Sequence, residues 1–346
     1  MTGPRPGDAA PGGRSEAAAL EVIDPDDPSE LQVEAIERAC RTIGFFRIPF
    51  SAVDDGVREA AWDDATRFFA RPTEEKLLVG FPEPGYPYGF SPFAFEALAA
   101  STGAEAPPDL KESFSVGPDC HRPSTGPSSG PATGPSARPA ATSDDPAEAW
   151  LRSPSLWPTE PASLRTSWTA CYRAMTDVAT RLLSLMARAI DLPADHFDPL
   201  VDRHTGAMRA IHYPAIEGEP PAGALRAGAH SDYGTLTILR TDGVPGLEVQ
   251  RPDGGWVAVA DEPDTFVVNL GDSIAQWTNN RWRSTVHRVT TVDRSPRQSM
   301  AFFHMANWDA SIECLPTCLG PGESPKHEPV LAGPWLMSKF QRSVGC

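Results

Sequence analysis

HSDYGTLTIL, running from His230 to Leu239, joins a His-x-Asp sequence to a strand-like run, Thr235 to Arg240, through Gly234. In an extended segment residues two apart project to one face, so the imidazole of His230 and the carboxylate of Asp232 can converge on one point. The chain keeps this character outward from there. Met208 to Tyr213, Leu247 to Gln250, Trp256 to Val259, Thr265 to Asn269, Trp282 to Val289 and Ser299 to Phe303 are short strand-like runs separated by Gly, Pro and Asp. Short strands so punctuated predict an antiparallel barrel or double-sheet sandwich. Asn269, Gly271 and Asp272 read as a turn that aims neighbouring strands.

Helices precede the strands. Leu20 to Ile23 reads as a short strand, and Ser29 with Gln32 three positions on reads as a capping box. It opens a helix whose apolar face is Leu31, Ala35, Ile36, Ala39, Cys40 and Ile43. Gly44 closes it, Phe45 to Ile48 follows as a strand, and Val57 to Ala70 is a second helix ending before Pro72. Leu164, Trp168, Cys171, Met175, Val178, Leu182 and Met186 recur at helical spacing, one long amphipathic face that serves packing. The expected divisions are a disordered terminus at 1–17, an N-terminal region at 18–117, a Pro/Gly/Ser-rich flexible insertion at 118–146, a linker and long helix at 147–200, a catalytic core at 201–310 and a tail at 311–346.

Bulk properties exclude several classes. The 346 residues are 40% hydrophobic and 22% charged, an ordinary globular balance. A formal charge of -16 without a basic stripe argues against a nucleic-acid partner. No apolar run approaches the roughly 20 residues that span a bilayer, and the start lacks a secretory apolar core, so no membrane partner and a soluble, cytoplasmic protein are expected. The six cysteines carry no CxxC pair and read as reduced thiols, Cys314 and Cys318 included.

His287, with 54 residues between it and Asp232, supplies a third ligand. Two imidazoles and a carboxylate form a facial triad that leaves open positions on iron(II). Ten residues later, Arg297 and Ser299 stand two apart on the next predicted strand. A guanidinium and a hydroxyl on one face can hold a carboxylate by charge-assisted hydrogen bonds.

At these residues the chain resembles the isopenicillin N synthase-like group of 2-oxoglutarate and iron(II)-dependent dioxygenases. ACRTIGFFRI, RFFARPTEEK, DLKESFSVG, LWP, HSDYGTLTIL, GLEV, VVNLGDSIAQWTNNRWRSTVHRV and RQSMAFF are similar to the family's signatures in order and spacing. The resemblance implies an α+β, mainly β fold, a double-stranded β-helix (jelly-roll) core with an N-terminal helical region and a long supporting helix. It implies His230, Asp232 and His287 as iron ligands, and Arg297, Ser299 and Tyr213 as the site of the distal carboxylate of 2-oxoglutarate. His212 alternates away from Tyr213 and is not assigned to the metal.

The implied reaction consumes 2-oxoglutarate and O2 on Fe(II), with ascorbate as a stimulant, and hydroxylates, desaturates or cyclises a small molecule in secondary metabolism or amino-acid modification. Tyr86, Tyr88, Phe90, Phe93 and Phe303 suggest an apolar or aromatic substrate lining. No Lys or Arg cluster marks a highly anionic substrate, and a monomer or weak homo-oligomer is expected. Three alternatives stay open: an oxidase of the same group that uses O2 without 2-oxoglutarate, a non-catalytic small-molecule-binding jelly roll, and a zinc hydrolase. The last lacks a well-placed general base.

Overall fold

The computed structural model describes residues 17–99, 107–121 and 145–344. The predicted disorder of 1–17 lies outside them but for its last residue. Of the predicted insertion, Pro118–His121 forms a 3-10 turn and Asp145 caps a helix by accepting from the Ala147 amide, while residues 122–144 lie outside the described residues.

The helices are α1 (Glu30–Thr42), α2 (Asp55–Phe69), α3 (Thr73–Lys76), α4 (Pro146–Leu151), α5 (Leu164–Ala189), α6 (Asp198–Val201), α7 (Asp272–Trp277) and α8 (Ala332–Val344). The strands are β1 (Phe45–Pro49), β2 (Gly89–Ser91), β3 (Glu112–Val116), β4 (Ala207–Tyr213), β5 (Ala227–His230), β6 (Leu236–Thr241), β7 (Leu247–Gln250), β8 (Trp256–Ala258), β9 (Thr265–Leu270), β10 (His287–Val289), β11 (Arg297–His304), β12 (Ser311–Ile312) and β13 (Val330–Leu331).

A seven-stranded sheet in the order β1-β9-β6-β11-β4-β3-β2 faces a four-stranded sheet, β5-β10-β7-β8, and the pairings are antiparallel. This is the jelly-roll core. The outer face of the large sheet meets α5, whose apolar stripe of Trp168, Cys171, Met175, Val178 and Leu182 packs with Phe90, Phe114, Met208 and Phe302. Its inner face is laid out in rows across the strands, because paired residues project to one side. One row is Phe45, Asn269, Thr237 and Phe303. The next is Val267, Leu239, Ala301, Arg209, Ser115 and Gly89. A third row, Thr241, Ser299, Ile211, Ser113 and Ser91, follows, and Arg297 opposite Tyr213 closes the series.

Several expectations are corrected. Leu20 to Ile23 is no strand: Ala18 and Val22 each form a single bridge, to Val259 and Arg47. Ser29 stands at the α1 N-cap without capping it, since its hydroxyl donates to Asp27 (3.0 Å), while Gln32 accepts from the Asp24 amide (3.0 Å). These local side-chain bonds fold the entering loop and displace the capping box. Leu31 is 66% exposed, because Val33, Ile36, Ala39 and Cys40 form the buried stripe. Of Trp282 to Val289 only His287–Val289 is a strand. The preceding residues are drawn to the end of α1, where the Arg283 amide donates to the Cys40 carbonyl (3.1 Å) and the Thr285 hydroxyl to Ile43 (2.6 Å). The predicted tail contains β12, β13 and α8. Among the described residues no helix is long and apolar enough to cross a membrane, and Cys40, Cys171, Cys314 and Cys318 are unpaired.

Candidate metal and carboxylate site

His230 ends β5, His287 begins β10, and the two are register partners, so one pairing between neighbouring strands brings both imidazoles together with centroids 4.4 Å apart. Asp232 reaches them from the irregular segment between β5 and β6 rather than from within a strand. Its Oδ1 lies 4.0 Å from His230 Nε2, and one ligand atom from each of the three residues lies within 4.8 Å of the others.

Backbone carbonyls set the imidazole tautomers. His230 Nδ1 faces the Gly228 carbonyl at 2.7 Å and His287 Nδ1 the Thr285 carbonyl at 3.1 Å. A carbonyl can only accept, so each Nδ1 carries the proton and each Nε2 presents a lone pair. Thr237 Oγ1 (2.6 Å) and Asn269 Nδ2 (2.7 Å) both donate to Asp232 Oδ2, which leaves Oδ1 as the oxygen that could hold a metal. Burial opposes the charge on Asp232, but His287, His230 and these two hydrogen bonds outweigh it and hold the carboxyl below its ordinary value. Burial, then His287, pushes the His230 imidazole down, toward the neutral form that binds a metal. Two nitrogens and one carboxylate oxygen, all preset, fit iron(II).

The same inner face carries the three residues expected to hold a carboxylate. Arg297, Ser299 and Tyr213 are all buried, at 2%, 1% and 2% exposure. The Arg297 guanidinium lies 5.0 Å from the Tyr213 ring centroid, its Nε donates to the Val244 carbonyl (3.2 Å), and its Nη1 has no hydrogen-bond partner among the described residues. A buried guanidinium nitrogen without an acceptor is costly unless an anion completes it. A cleft bordered by Thr241, Val244, Leu247, Val267 and Arg297 opens beside it.

The predicted aromatic lining is overturned in part. Phe90 is fully buried on the outer face, against Phe68 and Lys76, because its strand partner Phe114 faces the helices. Tyr88 is buried, with its hydroxyl on the Leu151 carbonyl and its ring where a side chain on Gly117 would stand. Tyr86 donates to the Pro154 carbonyl (2.7 Å), and Phe93 is 50% exposed. Phe303 does lie in the inner row with Thr237 and Asn269.

What stands on the inner face instead is polar. Arg209 donates to Ser115 Oγ (2.8 Å) and pairs with Glu96 (3.1 Å), which pairs with Lys111 (3.3 Å), which pairs with Asp109 (3.2 Å). Asp109 accepts from the Gly228 amide (2.8 Å), two residues from His230, and the Lys111 cation acts on His230 electrostatically. Each of these cations is paired with a carboxylate, so the wall is mixed in charge rather than a cationic cluster. The alternation Lys111, Ser113, Ser115 in DLKESFSVG was the sequence signal. Asn269 and Thr237 were also missed as partners of the Asp232 carboxylate. Asn269 belongs to β9 and Asp272 opens α7, where a plain turn had been expected.

Residues 204–306 match the 2OG-Fe(II) oxygenase superfamily, and residues 18–160 match the N-terminal region of non-haem dioxygenases in morphine synthesis. The chain is 29% identical over 315 residues to the 2-oxoglutarate-Fe(II) type oxidoreductase hxnY of Emericella nidulans, covering 90% of this chain and 85% of that one. It is 30% identical over 313 residues to the proline hydroxylase buaE of Petromyces alliaceus, covering 86% and 88%. Among solved structures it is similar to a full-length Neurospora crassa protein in complex with alpha-KG and 5-formyluracil, with a TM-score of 0.74 and 27% identity over 95% of this chain and 99% of that one.

Proposed function

Because the chain belongs to the 2OG-Fe(II) oxygenase superfamily, we propose that His230, Asp232 and His287 are its iron ligands and that Arg297, Ser299 and Tyr213 receive the distal carboxylate of its cosubstrate. The protein is a 2-oxoglutarate- and Fe(II)-dependent oxygenase that also takes O2. When bound, iron and 2-oxoglutarate supply an oxidative decarboxylation to succinate and CO2 that is coupled to oxidation of a second, small molecule.

The observation that carries the residue assignment is the convergence of three ligand atoms within 4.8 Å, with both Nδ1 atoms already engaged. The carbonyls of Gly228 and Thr285 fix ring orientation before metal arrives. Thr237 and Asn269 keep Asp232 ionised and monodentate. The clamp residues hold the far end of the cosubstrate, so its keto acid end is directed at the ligand set.

The substrate side of this proposal is a compact polar molecule rather than an aromatic one. Arg209 and Glu96 offer a cation and an anion side by side on the inner face, suited to a substrate that bears both charges. The similar proline hydroxylase is named for such a substrate.

Anaerobic titration of the apo-protein with Fe(II) and then 2-oxoglutarate tests the assignment. The weak visible band of an iron-bound keto acid is expected in the wild type, to be lost in His287→Ala and weakened about 10- to 100-fold in apparent affinity in Arg297→Ala. Iron loss in Arg297→Ala would remove that residue from the clamp. Succinate release in a screen of amino acids against neutral aromatics then tests the substrate class, and release with aromatics alone would overturn it.

A further inference from the structure

Arg226 stands just before β5, and its side chain is fully buried. Its Nη2 donates to the Ser295 carbonyl, while Nε and Nη1 have no hydrogen-bond partner among the described residues. Its guanidinium lies 5.8 Å from the Tyr213 ring centroid, the ring that the Arg297 guanidinium approaches at 5.0 Å. Two cations within about 6 Å of one aromatic ring repel each other in a low-dielectric interior. Burial first, and the Arg297 cation next, push the Arg226 guanidinium below its ordinary value.

No carboxylate of the described residues forms an ion pair with either arginine. The acidic groups that act on Arg226 are Asp293 and Asp242. Asp293 accepts from the Ser295 amide (2.7 Å) and Asp242 from the Gln298 (2.5 Å) and Val244 (3.1 Å) amides, and neither forms an ion pair with Arg226. Nε and Nη1 of Arg226 and Nη1 of Arg297 are therefore three buried guanidinium nitrogens awaiting acceptors. An uncompensated buried charge of this kind is strongly destabilising, and an incoming anion relieves it.

We infer that Arg226 is a second guanidinium of the cosubstrate clamp, which together with Arg297 selects a keto acid whose far end is charged. The inference rests on the clamp assignment of Arg297 and Tyr213 and extends it to a residue outside the Arg-x-Ser pair. Arg226 acts by holding the distal carboxylate and takes no part in metal binding.

The test compares two ligands of equal chain length on the Fe(II)-loaded protein without O2: 2-oxoglutarate, and 2-oxovalerate, which has a methyl group where the distal carboxylate would be. The readout is the dissociation constant from the visible band. For Arg226→Gln the expected result is a 10- to 100-fold weaker hold on 2-oxoglutarate, with 2-oxovalerate unchanged within about twofold and Fe(II) affinity intact. Arg226→Lys, which keeps the charge and loses the fork, should fall between, and it carries the test if the glutamine variant does not fold. Equal weakening of both ligands, or no weakening of either, overturns the inference and leaves Arg226 as a tether of the Ser295 turn. Wild-type protein that binds 2-oxovalerate as tightly as 2-oxoglutarate would overturn the clamp assignment itself.

Discussion

Asn269 and Thr237 both donate to the same oxygen of Asp232, the one not facing His230. A monodentate carboxylate left free to rotate would present either oxygen to the metal or chelate it through both. The two donors, standing in one row of the inner face, remove that freedom before iron binds. Outer partners of this kind typically contribute 10- to 100-fold in metal affinity. Asn269→Ala should therefore weaken Fe(II) binding by about that factor, measured by competition with a chromophoric chelator, while His230 and His287 keep their carbonyl contacts. An affinity equal to wild type would mean that Thr237 alone orients the carboxylate.

At the scale of elements, the loop that carries Asp232 is clamped from below by the junction of β9 and α7. The Gly271 amide donates to the Thr235 carbonyl (2.9 Å), Asp272 to the Asp232 carbonyl (2.8 Å) and Ser273 to Gly234 (3.1 Å). A Cβ on Gly271 would stand 2.2 Å from the Gly234 carbonyl oxygen and 2.9 Å from its nitrogen, backbone atoms that cannot step aside. Gly271→Ala should lower unfolding free energy by about 2–4 kcal/mol in a urea titration. It should weaken iron binding as well, because the strain falls on the ligand loop. Gly254→Ala, at positive φ (+85°) with open space around it, should cost about 1 kcal/mol and leave iron affinity alone. Similar losses in the two variants would mean that the ligand-bearing loop relaxes around the added methyl, since Gly271 itself has ordinary extended backbone (φ -100°, ψ 175°).

The same junction shows which parts were legible from residues alone. The 26-residue α5 announces itself by an uninterrupted apolar stripe, and β6, β7 and β9 by short runs between turn residues. His230, Asp232 and His287, which converge in the fold, were legible as residue types in order. Five of the six residues of α7 are buried, polar and apolar alike, so no period marks them as a helix. β5 reads AGAH, too small and too short to show alternation, although it positions His230. The charged wall of Lys111, Glu96 and Arg209 was marked only in part, by Lys111 alternating with Ser113 and Ser115: its members come from distant segments, and only the fold brings them together.

Across the whole molecule, carboxylates buried against cations tie the N-terminal half to the jelly roll, and they make stability depend on pH with a definite sign. Glu112 on β3 accepts from Lys76 Nζ (2.8 Å) and faces His212 Nδ1 (2.8 Å), and Lys76 is itself buried. Burial raises the Glu112 carboxyl, but the hydrogen bonds from His212 and Lys76 outweigh it, and the folded value lies below the ordinary 4.5. Glu96 behaves alike: burial is overcome by Arg209 and Lys111, and the carboxyl is held down at about 2. A group whose pKa is depressed in the folded state stabilises above its unfolded value and loses that contribution as pH falls. Stability should therefore decline below about pH 4.5, with the Glu96 share lost last, toward about pH 2. Glu112→Gln leaves Lys76 buried without its anion and should cost about 3 kcal/mol at pH 7. Because the variant has no carboxylate to protonate there, its curve against pH should be the flatter one, and the gap to wild type should narrow between pH 5 and about pH 3 in urea titrations. Parallel curves over that range would mean that the Lys76–Glu112 pair adds nothing to the acid sensitivity of the fold.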